Sequence, residues 1–345
     1  MSDPVPPLPT PPIDDLVERL LDAARIDANR DQIRDLLVTA VGLGTDRTDR
    51  LDLKISSAAL AEMREAYRLF AHFVDVPKIT IFGSARTQAT DPLYAQTHAV
   101  AAAMAERGWM VVTGAGPGIM QAAMEGAGAD RSIGVSIRLP FESRANDVIH
   151  GDPKLVTMKY FFTRKLMLVK ESRAFLSVPG GFGTLDETFE LLTLQQTGKA
   201  EPTPIVLLDE PGGTYWHGFR RFVVDELVRL HLVSADDLDR VLITDSVDEA
   251  VAEIQGFWRN YDSLRWVGSQ LVLRIKTAPT DAQLADLNER FGHLLAGGTI
   301  ERSDPLPVEV ASDDKVDLPR LVMTWEQFNV GSLHLVIRAL NALPD

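Results

Sequence analysis

Ser177-Val178-Pro179-Gly180-Gly181-Phe182-Gly183-Thr184-Leu185-Asp186-Glu187-Thr188-Phe189-Glu190 is the stretch that decides the fold. It follows the β-prone run Ala174–Val178 and leads through three glycines in four positions into a helical pattern opening near Thr184. A strand, a tight turn and a helix N-terminus in that order let backbone N–H groups approach an anion, usually phosphate, at the positive end of the helix dipole. A second reading belongs to the same residues. Thr184 and Glu187 have the S/T-x-x-E spacing of a capping box, which only closes a helix end.

Working outward from this turn, strands expected at 79–82, 110–113, 132–137, 174–178, 204–208 and 241–244 alternate with helices near 92–107, 118–128, 158–171, 184–197, 215–231 and 247–260. Apolar strands separated by helices predict a parallel sheet covered on both faces. The fold class is therefore α/β, a Rossmann-like doubly wound parallel sheet over 77–262. Ligands of such sheets lie beyond the C-terminal strand ends. Three strands end there in glycine turns: Phe82-Gly83-Ser84-Ala85-Arg86, Thr113-Gly114-Ala115-Gly116-Pro117-Gly118, and Pro179 to Thr184. One such turn is common, but three at equivalent ends argue for a nucleotide-type site.

Before this domain come a Pro-rich, disordered tail (1–12, six prolines) and a helical preface over 13–76, which carries no recognisable chemistry. After it, 265–345 reads as a small α+β unit: strands at 270–275, 299–302, 308–310 and 321–325, and helices at 280–295 and 332–343. No repeat of solenoid period is present.

Composition narrows the function. The 345 residues are 45% hydrophobic and 24% charged, with 35 basic against 49 acidic residues and a net charge of -14. That balance disfavours non-specific binding to nucleic acid or anionic lipid. Without cysteine there is no disulfide, thiolate nucleophile or Cys-ligated metal. No apolar run has the length of a membrane span and the N-terminus lacks signal-peptide features, so a cytoplasmic location is expected. The seven histidines form no HxxxH or HExxH set, and no metal is expected. There is no G-x-S-x-G elbow, no Walker A loop, and the glycines at 114, 116 and 118 do not fit G-x-G-x-x-G.

A carboxylate beside an anion-binding turn remains. Arg164 and Lys165 interrupt the otherwise apolar helix Met158–Glu171. A cation there either pairs with Asp186 or Glu190, or faces an anionic ligand.

Taken together, VPGGFGTLDE, IFGSART, TGAGPGIM, SIGVSIRLPFE and YFFTRKLMLVKES resemble the LOG ("lonely guy") family of cytokinin-activating phosphoribohydrolases, older label lysine decarboxylase. The likeness covers about Lys78 to Tyr261, and the flanking regions resemble the longer bacterial members. It implies hydrolysis of the N-glycosidic bond of a nucleoside 5′-monophosphate, AMP or an N6-modified AMP such as a cytokinin ribotide, to free base and ribose 5-phosphate, without a cofactor. It implies Glu187 and Arg164 as the catalytic pair. Gly83, Ser84, Arg86, Gly114, Gly116, Gly118, Lys165, Gly180, Gly181, Gly183 and Thr184 would hold the phosphate and nucleotide. It also implies a homodimer or higher homo-oligomer. Two positions depart from the family pattern. Ala115 stands where short members have glycine and would put a methyl near the nucleotide, and Gln121 stands where glycine or glutamate is usual. The rival readings are a nucleotide-sensing protein without hydrolysis and a PLP-dependent decarboxylase, for which no lysine has a Schiff-base context.

Overall fold

The computed structural model describes residues 12–139, 144–326 and 331–344. The expected Pro-rich tail and the Pro140-Phe141-Glu142 end of one family motif therefore lie outside the described residues, apart from Pro12. The chain divides into two compact units, one up to Ala61 and one from Glu62 on. In the first, α1 (Ile13–Ala23) and α2 (Arg30–Thr45) pair through Arg30, which bonds Glu18 and Asp22. Helix α3 (Arg50–Phe70) runs from the first unit into the second.

The second unit contains β1 (Lys78–Phe82), α4 (Pro92–Glu106), β2 (Met110–Thr113), α5 (Ile119–Ala127), β3 (Ser132–Ile137), β4 (Leu155–Met158), α6 (Phe161–Lys170) and β5 (Ala174–Ser177). It continues with α7 (Phe182–Gln196), β6 (Ile205–Leu208), α8 (Tyr215–Phe222), β7 (Val241–Thr244) and α9 (Val247–Phe257). The seven strands form one parallel sheet in the order β4-β3-β2-β1-β5-β6-β7. Winding reverses between β1 and β5, so the glycine turns after β2, β1 and β5 sit side by side at the switch point, where such sheets bind ligands.

Side chains alternate across each strand and fill two cores. Ile79, Ile81 and Val111 meet Val100, Met104 and Ala123 of α4 and α5 on one face. Phe82, Met110 and Val112 join Met167, Leu191, Trp216 and the α3 residues Ala66 and Phe70 on the other. Local sequence sets the helix starts. In α4, Asp91 caps Leu93 N–H (2.9 Å) and Pro92 occupies the first turn, where no N–H is needed.

Three expectations need correction. The helix foreseen from residue 158 begins at Phe161, because Leu155–Met158 pairs with β3 as an edge strand. The helix foreseen over 215–231 is α-helical only to Phe222 and continues as a π-turn over Val223–Val228. The strand foreseen at Val308–Val310 lies within the short helix Pro307–Ala311, where Pro307 opens the turn and Glu309 accepts from Leu306 N–H (3.0 Å).

The C-terminal part is an antiparallel sheet of β8 (Tyr261–Val267), β9 (Gln270–Ile275), β10 (Leu295–Ser303) and β11 (Arg320–Trp325) in the order β10-β11-β9-β8. Helices α10 (Asp281–Phe291) and α12 (Leu333–Ala342) share a core with one of its faces, and Glu309 of α11 (Pro307–Ala311) bonds arginines of β9 and β11. Among the described residues no helix is long and apolar enough to cross a membrane.

Candidate active site

Where the three turns meet, the second unit opens a cleft of about 960 Å³. Gly83, Ser84, Arg86, Gly114, Gly116, Gly181, Gly183, Thr184, Arg164 and Glu187 all line it. Gly118 and Gly180 stand behind this lining. Gly118 takes φ +66° against the β1 turn, where Ile119 N–H bonds Ser84 O (3.0 Å) and any Cβ would strike that carbonyl. Gly180 has its carbonyl held by the Tyr215 hydroxyl (2.6 Å).

Helix α7 starts at Phe182 with Gly181 as its N-cap, two residues before the sequence pattern places it, and no side chain caps it. The first-turn N–H groups therefore face the cleft beside two glycines that leave open space around them. Thr184 and Glu187 lie inside the helix, so the capping-box reading falls. Glu187 is directed elsewhere.

Glu187 is 7% exposed, and its Oε2 is buried with no hydrogen-bond partner among the described residues. Burial pushes the carboxyl up to about 7, against the pull of Lys165 and Arg164, while Glu190 and Asp186 push the same way as burial. Arg164 reaches the cleft from α6. Its Nε donates to Val135 O (2.9 Å), and its guanidinium covers Gly114 so closely that a Cβ there would collide with Nη2. Lys165, placed among the nucleotide-binding residues by resemblance, does not line the cleft. Its Nζ pairs with Asp186 and Glu190 (2.8 Å each) and stands 4.0 Å from Glu187 Oε2.

A family described as possible lysine decarboxylase matches residues 118–254. A cytokinin riboside 5′-monophosphate phosphoribohydrolase from Mycobacterium marinum is 30% identical over 156 residues, 44% of this chain and 80% of that protein. The chain belongs to the LOG family. The enzyme of the same description from Mycobacterium tuberculosis is 31% identical over the same shares. Among solved structures, the molybdenum cofactor binding protein from Rippkaea orientalis aligns at 21% identity over 52% of this chain and 96% of that one. The TM-score of that alignment is 0.37.

The two departures from the LOG pattern differ in where they stand. Ala115 takes φ +59°, a conformation that favours glycine, and is 1% exposed. It stands in the lining of the cleft, and its methyl packs with Met124 and Ile149 in a small core under the turn. Gln121 donates to Glu125 (2.8 Å) along α5 and does not line the cleft.

Several lining residues of this LOG cleft are given no role of their own by motif or spacing. Ser136 and Arg138 at the end of β3 and Thr157 of β4 form one wall, with Ser136 Oγ donating to Thr157 Oγ1 (2.9 Å). Ser136 and Arg138 fall within SIGVSIRLPFE without a chemistry that spacing alone assigns, and Thr157 lies on a short edge strand with only two buried residues. The buried hydroxyl pair Ser177–Thr188 (3.0 Å), which fixes α7 against β5, was equally silent.

Proposed function

We propose that this LOG chain hydrolyses the N-glycosidic bond of a nucleoside 5′-monophosphate, with AMP or an N6-modified AMP as substrate. The observation that carries the proposal is the buried, unbonded carboxylate oxygen of Glu187, set one turn inside a helix whose uncapped N-terminus opens on the same cleft. In this reading the 5′-phosphate takes the first-turn N–H groups of α7 and the glycine turns, which fixes the ribose and supplies binding energy away from the reacting bond.

Water adds its oxygen to C1′ as the C1′–N bond breaks, the base leaves with a proton, and ribose 5-phosphate remains. Positive charge builds on the ribose in between. An ionised carboxylate already stripped of water stabilises that charge more than it stabilises the ground state. Arg164 keeps a cation beside Glu187 and favours the ionised form that this role needs. The relatives named as phosphoribohydrolases of cytokinin ribotides support the substrate class.

The test is incubation with AMP and chromatography of the products. Adenine and ribose 5-phosphate should accumulate, and Glu187→Ala should slow their release by about a hundredfold or more. If wild type frees no base from any common nucleoside monophosphate, the proposal fails.

A further inference from the structure

We infer that Glu62 is a positioning residue for Arg164: from α3 its carboxylate closes the N-terminus of α6 and thereby sets where the guanidinium stands in the cleft. The inference rests on the function proposed above. Helix α6 lacks the usual means of closing its own start. Its N-cap, Tyr160, makes no side-chain cap, and its first turn holds no acidic residue.

The missing acceptor comes from 97 residues earlier in the chain. Glu62 Oε1 accepts from Lys159 N–H (2.9 Å), and Oε2 accepts from Tyr160 N–H (3.4 Å) and from the Thr163 hydroxyl (2.8 Å). That hydroxyl is fully buried and also reaches Tyr160 O (2.9 Å), so the two residues that lead into α6 and the side chain of its third residue converge on one carboxylate. A negative charge at this end also complements the helix dipole.

The cap is itself anchored. Ala66 and Phe70, four and eight residues after Glu62 on the same face of α3, are buried in the core beneath the sheet. Glu62 has no cationic partner among the described residues, which separates it from an ordinary surface ion pair. Arg164 directly follows Thr163, so its bond to Val135 O and its close approach to Gly114 depend on where the first turn of α6 is held. A frayed first turn would move the guanidinium away from Glu187 without touching the α7 turn.

The experiment uses the full chain with AMP. In Glu62→Ala, kcat should fall about tenfold or more while KM stays unchanged, since misplacing a group through a remote contact slows the chemical step. The ionisation of Glu187, faced by Arg164 and Lys165 from α6 and by Asp186 and Glu190 from α7, should move upward in the same variant. Glu62→Gln, which keeps one acceptor oxygen, should be intermediate. If Glu62→Ala lowers Tm but leaves kcat and the ionisation of Glu187 unchanged, the carboxylate is a structural cap only and the inference is overturned. Should Glu62→Ala not fold, Glu62→Gln and Thr163→Val decide by the same readouts. A wild type that hydrolyses nothing would defeat the proposed function. The side-chain ¹³C titration of Glu187, assigned with Glu187→Gln, would still show whether Glu62 sets its surroundings.

Discussion

Glu187 and Glu309 are both glutamates taken out of water, 7% and 0% exposed, and their surroundings differ in one respect. Glu309 is saturated. Arg274 donates to Oε1 from Nε (3.0 Å) and Nη2 (2.7 Å), while Oε2 takes Leu306 N–H (3.0 Å) and pairs with Arg320 Nη1 (2.7 Å). Burial alone would raise its carboxyl, but the bonds from Leu306, Arg274 and Arg320 together hold it below the ordinary range. Glu187 has an unbonded oxygen and its nearest ammonium at 4.0 Å, and it is raised to about 7. Burial does not make a carboxylate reactive. Burial with the partners withheld does, and that state persists because the rest of the fold holds it.

Breaking the saturated site should have the larger effect on stability. Glu309→Ala leaves Arg274 and Arg320, 3% and 1% exposed, facing a vacated position, although Asp314 still bonds Arg274 (2.7 Å). Loss of one partner from a buried ion cluster costs about 3–5 kcal/mol, to be read as a lower midpoint in urea. Release of base per folded molecule should not change. A midpoint within error of wild type would mean that the Glu309 ion cluster adds nothing to stability.

The opposite is expected of Glu187→Gln. With its folded-state ionisation raised from 4.5 to about 7, the native state binds this proton more tightly than the unfolded chain. The resulting stability is full below 4.5 and is lost as pH rises to 7. At pH 8 the ionised carboxylate therefore strains the fold by on the order of 3 kcal/mol. Glu187→Gln should raise Tm at pH 8, give little at pH 4.5 and abolish hydrolysis. Glu309, whose ionisation is lowered, has the reverse dependence and loses its contribution only as pH falls below the ordinary carboxylate range. A Tm gain of Glu187→Gln that is equal at both pH values would break the contrast.

How much of this could be read in advance follows the range of the interactions. The central strands were legible because Ile79, Ile81, Val111 and Leu176 belong to runs buried on both faces, and the glycine turns after them because glycine marks such turns locally. Edge strand β4 was not, since only Val156 and Met158 of its four residues are buried. The capping-box spacing at Thr184 and Glu187 was genuine as a pattern. It was defeated by the Pro179-Gly180-Gly181 turn, which starts the helix two residues earlier without any side chain. Arg164 and Lys165 are adjacent in sequence but about 100° apart around the helix. Which one meets the cleft depends on how α6 sits against α7 and Gly114, and no local pattern records that.

Lys165 lies between the two kinds of carboxylate, and changing it sharpens the comparison by the smallest step. Asp186 and Glu190 bond it directly, and their pull holds its ammonium at about 12 after burial has worked the other way. Glu187 receives only its field across 4.0 Å. Lys165→Met removes that field and leaves Asp186 and Glu190 as uncompensated negative charge on the same helix, so the ionisation of Glu187 should climb above 7. If hydrolysis needs the ionised carboxylate, the rising limb of kcat/KM against pH moves to higher pH by the same amount. Wild type and variant should then converge at strongly alkaline pH. KM for AMP at that pH should be unchanged, because Lys165 does not line the cleft. A raised KM with an unmoved limb would instead put Lys165 on the phosphate, as the family resemblance alone implies, and the spacing between Lys165 and Glu187 would lose its meaning as a tuning distance.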